Sequence, residues 1–260
     1  MARIILLIAI FALALAVHEG GHYVACRLVD TPVIEVVLGG GPLIYEGQLP
    51  DGARLAVHLF PGGGHVQHWR SATALGGAFI TFSGTAACAT LGFLAYLLGF
   101  ALMRGGPKPG RALLTSARLS FGAWLAFPFR LVWHSVRLRP LDALKPFWGL
   151  GLFLSGRRQV EVGGVRLGPV HLLLFAAGAW CAFDSGFNIL PIFLDSDGAS
   201  LILQGCTALF GRAALPYVAF GITLFDVWLW LIFLFGIGVT LARVMLTRQE
   251  EEVRRDIEGQ

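Results

Sequence analysis

The sequence predicts an all-α polytopic membrane protein of about four transmembrane helices, with a small membrane-associated β-hairpin or sheet after the first helix. Three observations lead there. Of 260 residues, 56% are apolar and a further 34 are glycine, well above the roughly 45–50% apolar-plus-glycine share of soluble domains. Charged residues make up 14% against about 25% in soluble proteins, and the mean hydropathy is +0.71. Four runs, residues 4–28, 75–103, 169–190 and 216–245, reach the length of about 20 residues that crosses a bilayer. This composition excludes a water-soluble globule, a disordered chain and a nucleic-acid-binding protein, and the length suits one integral domain over residues 1–260.

In the first span, Ile4–Val17 is apolar and the helical pattern continues through His18–Val29. A secretory signal with Ala14-Leu15-Ala16 at its cut site is the competing reading, and it is outweighed because the apolar run continues past that point on the same helix. The period then changes. Val33–Leu38, Leu43–Glu46 and Arg54–Phe60 are β-branched or alternating runs, separated by Gly39-Gly40-Gly41-Pro42, Gln48–Gly52 and Pro61–Gly64. A small sheet or hairpin over residues 33–66, beside the membrane, is the expectation, with a solvated loop as the competing reading.

The second span is rich in Gly, Ala and Leu. The linker 104–168 holds eleven Lys and Arg against Asp142 and Glu161, so it carries +9 and the rest of the chain −5. Such a segment suits anionic lipid headgroups or a cytoplasmic loop. Within it Leu119–Val136 mixes Arg130 and His134 with Trp124, Phe127, Phe129 and Trp133, the pattern of an interfacial amphipathic helix. After the third and fourth spans, residues 248–260 form a charged, exposed, helical tail. Cys26, Cys88, Cys181 and Cys206 lie far apart and mostly in apolar runs, as small packing residues do.

The chemistry is concentrated in the first span. His18 and His22 are four residues apart, so on a helix both imidazoles leave one face and can chelate one zinc ion, with Glu19 beside them to accept a proton from water. Three ionisable groups in an apolar helix are costly without a function. A zinc site of this kind takes a third protein ligand and keeps the fourth position open. The later glutamates all lie outside apolar spans, which leaves Asp184, Asp195, Asp197 and Asp226 near membrane depth. An aspartate is therefore the expected third ligand.

Asp195 and Asp197 follow Asn188-Ile189-Leu190-Pro191, and Gly198 follows Asp197. With His18-Glu19-Gly20-Gly21-His22 on an early span, this pattern resembles the site-2 protease family of intramembrane zinc metalloproteases, which pairs H-E-x-x-H with N-x-x-P and a D-G dipeptide. Gly39-Gly40-Gly41-Pro42-Leu43 is similar to the family's G-x-G-P turn and Pro61–Val66 to its P-x-G-G-x-V strand, while Ser83–Cys88 only echoes its A-G-P-x-x-N helix. The resemblance covers about residues 4–100 and 168–205. It implies His18, His22 and Asp197 as ligands of one zinc ion per chain, Glu19 as general base, and Asn188 as a group that positions the substrate or the developing oxyanion.

Three departures stand out. Asn188 and Asp197 are nine residues apart where the family usually has eight, so Asp195, at seven, is a rival third ligand; the glycine after Asp197 favours Asp197. Thr85 and Cys88 stand where the family has Pro and Asn, and Gly20 where it has a larger residue. Other polar groups carry weaker readings. Asp184, one turn before Asn188, either orients the site or faces a polar cavity. Asp226 reads as a satisfied interhelical partner, with a functional role as the alternative, and His58, His65 and His68 as loop or sheet surface rather than a second metal cluster.

The resemblance implies an intramembrane endopeptidase of a bacterial plasma (inner) membrane. Its partners would be lipid and a transmembrane protein substrate, with no nucleic acid. A catalytically silent scaffold or chaperone of the same fold, and a metal-site transporter, are the competing classes. A transporter needs polar groups on several spans, and here they cluster at one site. Because the ligand pairs must meet, the first and third spans must run in the same direction with one crossing between them.

Overall fold

A computed structural model describes residues 2–69, 71, 73–102, 121–137, 160–162, 165–190 and 196–258. The chain forms α1 (Ala2–Leu28), β1 (Val33–Gln48), β2 (Arg54–His68), α2 (Ala74–Ala101), α3 (Phe121–Leu125), α4 (Phe127–Val136), β3 (Val160–Val162), β4 (Val165–Leu167), α5 (Pro169–Ile189), α6 (Asp197–Phe210), a 3-10 turn (Arg212–Ala214) and α7 (Leu215–Glu258). Four stretches are long and apolar enough to cross a membrane: Ile4–Leu28, Ala74–Ala101, Pro169–Ile189 and Arg212–Val239. The expected helical class with a β element after the first helix is what forms.

Helix α2 is the middle of the bundle. Against α1 it runs antiparallel: Ala14 shares a buried cluster with Cys88, while Ala25 and Cys26 share one with Ile80. Against α5 it also runs antiparallel, because Tyr96 meets Phe175 (ring centroids 5.3 Å apart) at one end and the Thr85 carbonyl accepts from Ser185 Oγ (3.1 Å) at the other. Helices α1 and α5 are therefore parallel to one another. Phe11 stacks on Trp180 at 3.7 Å, and seven residues on, His18 meets Asp184.

Lipid tails are as apolar as leucine, so close backbone approach rather than the hydrophobic effect holds such helices together. The α2–α5 crossing shows the means. A Cβ on Gly92 would stand 2.8 Å from Cys181 Cβ and 3.0 Å from the Gly178 carbonyl oxygen, and one on Gly178 would enter the Tyr96 ring. Beside this crossing, Tyr96, Trp124, Leu167, Leu172 and Phe175 form the largest buried cluster.

The β region differs in detail from the three short strands expected. Pro61–Gly64, read as a turn, is part of β2, and the sheet extends to His68. Two bends make this possible. Gly39 and Gly41 sit at φ +85° and +80°, a conformation glycine adopts without a Cβ penalty. Backbone on both sides of these bends stays paired. Val36 pairs with Val66 on one side and Leu55 on the other, and Tyr45 pairs with Val57. The turn joining β1 to β2 is tied to the end of α1, with Arg27 Nη1 3.4 Å from Asp51 Oδ2.

The single amphipathic helix expected at Leu119–Val136 is two short helices, α3 and α4. Trp124 (1% exposed) and Phe127 (4%) are core residues rather than interface anchors, because α3 lies against α5 and α2 and Phe127 meets Phe183. Most of the basic linker lies outside the described residues. Helix α7 runs unbroken from the fourth span into the charged tail, and its Phe220, Trp228, Trp230 and Phe235 are exposed as expected of lipid-facing bulk.

Gly92→Val tests the crossing. Overpacking at a tight contact costs about 1–3 kcal/mol, so the melting temperature in detergent should fall by several degrees, while valine at Gly205, which has open space around it, should leave it unchanged.

Candidate metal centre

His18 and His22 leave one face of α1, as their four-residue spacing dictates. Their Nε2 atoms lie 3.2 Å apart. Each ring is turned by its outer nitrogen. His22 Nδ1 is 2.7 Å from the Ile80 carbonyl oxygen of α2, and His18 Nδ1 is 3.3 Å from Asp184 Oδ2 of α5. The bond to Ile80 places the proton of His22 on Nδ1 and leaves its Nε2 lone pair pointing inward, the tautomer a metal requires, while the Asp184 carboxylate stands beside the outer nitrogen of His18.

Space for the His22 ring comes from Gly84. Any Cβ there would lie within 2.6 Å of both ring carbons and closer still to Nε2. Gly84, within the Ser83–Cys88 stretch that only echoes a family motif, thus has a clear local reason.

Asp197 reaches the same point from the first turn of α6. Ser196 caps that helix, accepting from the Ala199 N–H at 3.2 Å and donating to the Leu190 carbonyl at 2.9 Å. Gly198 lets the turn sit on the end of α5, since a Cβ there would collide with the Ile189 carbonyl. Asp197 Oδ2 then lies 3.4 Å from His18 Nε2, and Oδ1 lies 3.4 Å from His22 Nε2. Burial alone would raise the affinity of this carboxyl for a proton. The two imidazoles and the Thr85 hydroxyl outweigh it and hold the group below the usual carboxylate range.

These distances fit a metal ion. A tetrahedral centre with bonds of about 2.0–2.1 Å has corners about 3.3–3.4 Å apart, and the three separations measured are 3.2, 3.4 and 3.4 Å. Two imidazoles and a carboxylate also form a donor set that zinc accepts.

Glu19 is buried (5% exposed) beside the histidines and lines the same cavity of about 440 Å³. β2 closes over it: a Cβ on Gly64 would stand 3.0 Å from Glu19 Oε1. Asn188 also lines the cavity, its Nδ2 donating to the Asp184 backbone carbonyl (3.1 Å) and to Asp184 Oδ1 (3.3 Å). The structure therefore gathers His18, Glu19, His22, Asp184, Asn188 and Asp197. Asp195 lies outside the described residues. Asp226, on α7, is not among the residues lining the cavity. His65 and His68 reach the cavity from β2, while His58 bonds the Gly41 carbonyl; among the described residues none of the three joins a metal-capable group.

Sequence reasoning missed the part played by α2. Thr85 Oγ1 donates to Asp197 Oδ2 at 2.5 Å. Cys88, fully buried and read as packing only, forms a second group of possible donors with His18 and Asp184. The available signal was their spacing: Gly84, Thr85 and Cys88 occupy one face of α2.

Two histidines and a carboxylate thus converge beside a glutamate, in a cavity among helices long and apolar enough to cross a membrane. The chain belongs to Peptidase family M50, the site-2 protease family, whose sequence model matches residues 6–232. It is also similar to the protein named "Probable protease eep" of Enterococcus faecalis (strain ATCC 700802 / V583), with 34% identity over 67 residues. That match spans 26% of this chain and 16% of the relative's length.

Gly84→Ala should keep the helical content while displacing the His22 imidazole. The expected result is at least a tenfold loss of metal affinity, read by competition against a chromogenic chelator.

Proposed function

We propose that the protein is a zinc-dependent endopeptidase that hydrolyses a peptide bond in or near a transmembrane segment of another membrane protein, in a bacterial plasma (inner) membrane. The observation that carries this reading is the meeting of Glu19 with His18, His22 and Asp197 at a cavity one of whose walls is a strand edge. In this reading His18, His22 and Asp197 hold one zinc ion, which when bound makes water acidic enough to ionise near neutral pH and polarises the carbonyl it contacts.

The remaining steps belong to the chain's own residues. Glu19 accepts a proton from the attacking water and passes it to the amide nitrogen as the carbon–nitrogen bond breaks. Asn188 lines the cavity, and on releasing one of its two N–H groups from Asp184 it offers that N–H to the substrate carbonyl as negative charge builds on it. The Asp184 carboxylate, 3.3 Å from His18 Nδ1, favours the tautomer with the proton on that nitrogen and Nε2 free to bind the metal.

A peptide bond within a membrane helix is shielded by its own hydrogen bonds, so the substrate must unwind, and lipid supplies no replacement partners. Residues Gly64–Val66 of β2 pair on one side only among the described residues, with Leu38–Val36, and they line the cavity. Their open side can take an unwound segment as an added strand.

Glu19→Gln is the direct test. Cleavage of a model transmembrane substrate by purified protein in liposomes should fall by at least 10³-fold while zinc content stays near one per chain. Normal turnover by this variant would leave the silent scaffold as the better reading.

Asp197→Ala should lose both zinc and activity, and Asp195→Ala should keep both, as measured by metal analysis and cleavage rate. The reverse pattern would move the third ligand to Asp195.

A further inference from the structure

Helix α2 supplies no ligand, yet it makes two hydrogen bonds to α6, the helix that carries Asp197. Thr85 Oγ1 donates to Asp197 Oδ2 at 2.5 Å, and Gln204 Nε2 donates to Thr81 Oγ1 at 2.9 Å. Thr81 lies one turn before Thr85 on α2, and Gln204 two turns after Asp197 on α6, so both contacts fall along one seam. Gly77 continues it, since a Cβ there would stand 2.9 Å from Gln204 Oε1.

Thr85 is itself held. It is 1% exposed, and its backbone carbonyl accepts from Ser185 Oγ of α5 at 3.1 Å. Ser185 is fully buried, and its one hydroxyl proton is shared between that carbonyl and the nearer Cys181 carbonyl at 2.7 Å. The threonine hydroxyl therefore projects from a buried backbone that is in contact with α5. A hydroxyl has one proton to give, and here it goes to Oδ2, which leaves Oδ1 of Asp197 turned toward His22 Nε2.

A carboxylate at the first residue of a helix is free to rotate about two side-chain bonds unless something holds it. We propose that Thr85 is the positioning residue that aims Asp197 at the two histidines, and that the Gln204–Thr81 bond keeps α6 in the register this needs. The inference rests on the metallopeptidase reading and extends it to a helix position where the family pattern has a proline, which has no hydroxyl to donate.

The test is zinc affinity of the full-length protein in detergent, by chelator competition, with helical content and melting temperature followed in parallel. Thr85→Val exchanges the hydroxyl for a methyl group of similar size and should weaken zinc binding about 10–100-fold. Thr85→Ser restores the donor and should return affinity close to that of the unaltered protein. Helical content and the melting temperature of the zinc-free protein should stay unchanged in Thr85→Val, whereas a merely structural role would lower both. Gln204→Leu, at a half-buried position that tolerates exchange, should weaken binding severalfold without loss of helix; unchanged affinity removes the second grip.

Equal affinities for the valine and unaltered forms, or a serine form as weak as valine, overturn the role of Thr85 and leave the metallopeptidase reading standing. An unaltered protein that takes up no zinc at all overturns that reading, and this proposal with it.

Discussion

The contact on which the rest of the structure depends is the one between Asp197 and the paired imidazoles of His18 and His22. It joins residues nearly 180 positions apart, and it gathers groups that could not be left singly among apolar helices without a cost of a few kcal/mol each. Each demand it makes is met by a neighbour. The rings are turned by Ile80 and Asp184, the carboxylate by Thr85, and the helix end that bears it by the Ser196 cap. The antiparallel–antiparallel arrangement of α1, α2 and α5 follows from the same demand. Only with α2 passing between them do α1 and α5 run parallel and bring His18 level with Asp184.

Glycine does much of the positioning. Residues 21, 84, 92, 178 and 198 each sit where a Cβ would meet a neighbouring backbone or ring. Three of them bear on the centre directly: Gly21 lets α1 approach α2 at Ser83, Gly84 admits His22, and Gly198 seats α6 on the end of α5. In a soluble protein a helix with this much glycine would be weakened by about 1 kcal/mol per residue. In lipid the unfolded backbone has nowhere else to bond, so the helix persists and the glycine is available for close packing.

How much of this was legible in the sequence depends on the range of the interaction that decides each feature. The spans are set by local apolar length, and they appear within a few residues of where they were expected. The spacing of His18 and His22 is local too. The β region was legible as strand but not as topology. Whether Pro61–Gly64 turns or continues depends on Leu38 and Val37 lying opposite, and no window of sequence contains both. Leu119–Val136 shows the same limit: its aromatic residues look equally fit for an interface or a core, and only the presence of α5 beside them decides. Thr85 was hardest to read, because a threonine in an apolar helix is ordinary until a carboxylate 112 residues later is placed against it.

Helix α2 contributes to this centre from three successive positions on one face, each with a different partner: an empty space at residue 84 for a ring, a hydroxyl at 85 for a carboxylate, and a thiol at 88 near His18. Apolar surfaces sliding past one another in a bilayer have little preference for one offset over another. These three contacts do. Shifting α2 by one turn, about 5.4 Å, brings the side chain of Ile80 or Cys88 into the volume that His22 occupies and leaves Asp197 without its donor. These residues thus also fix the offset of α2, so that a bundle displaced by one turn is one that cannot bring His22 and Asp197 together.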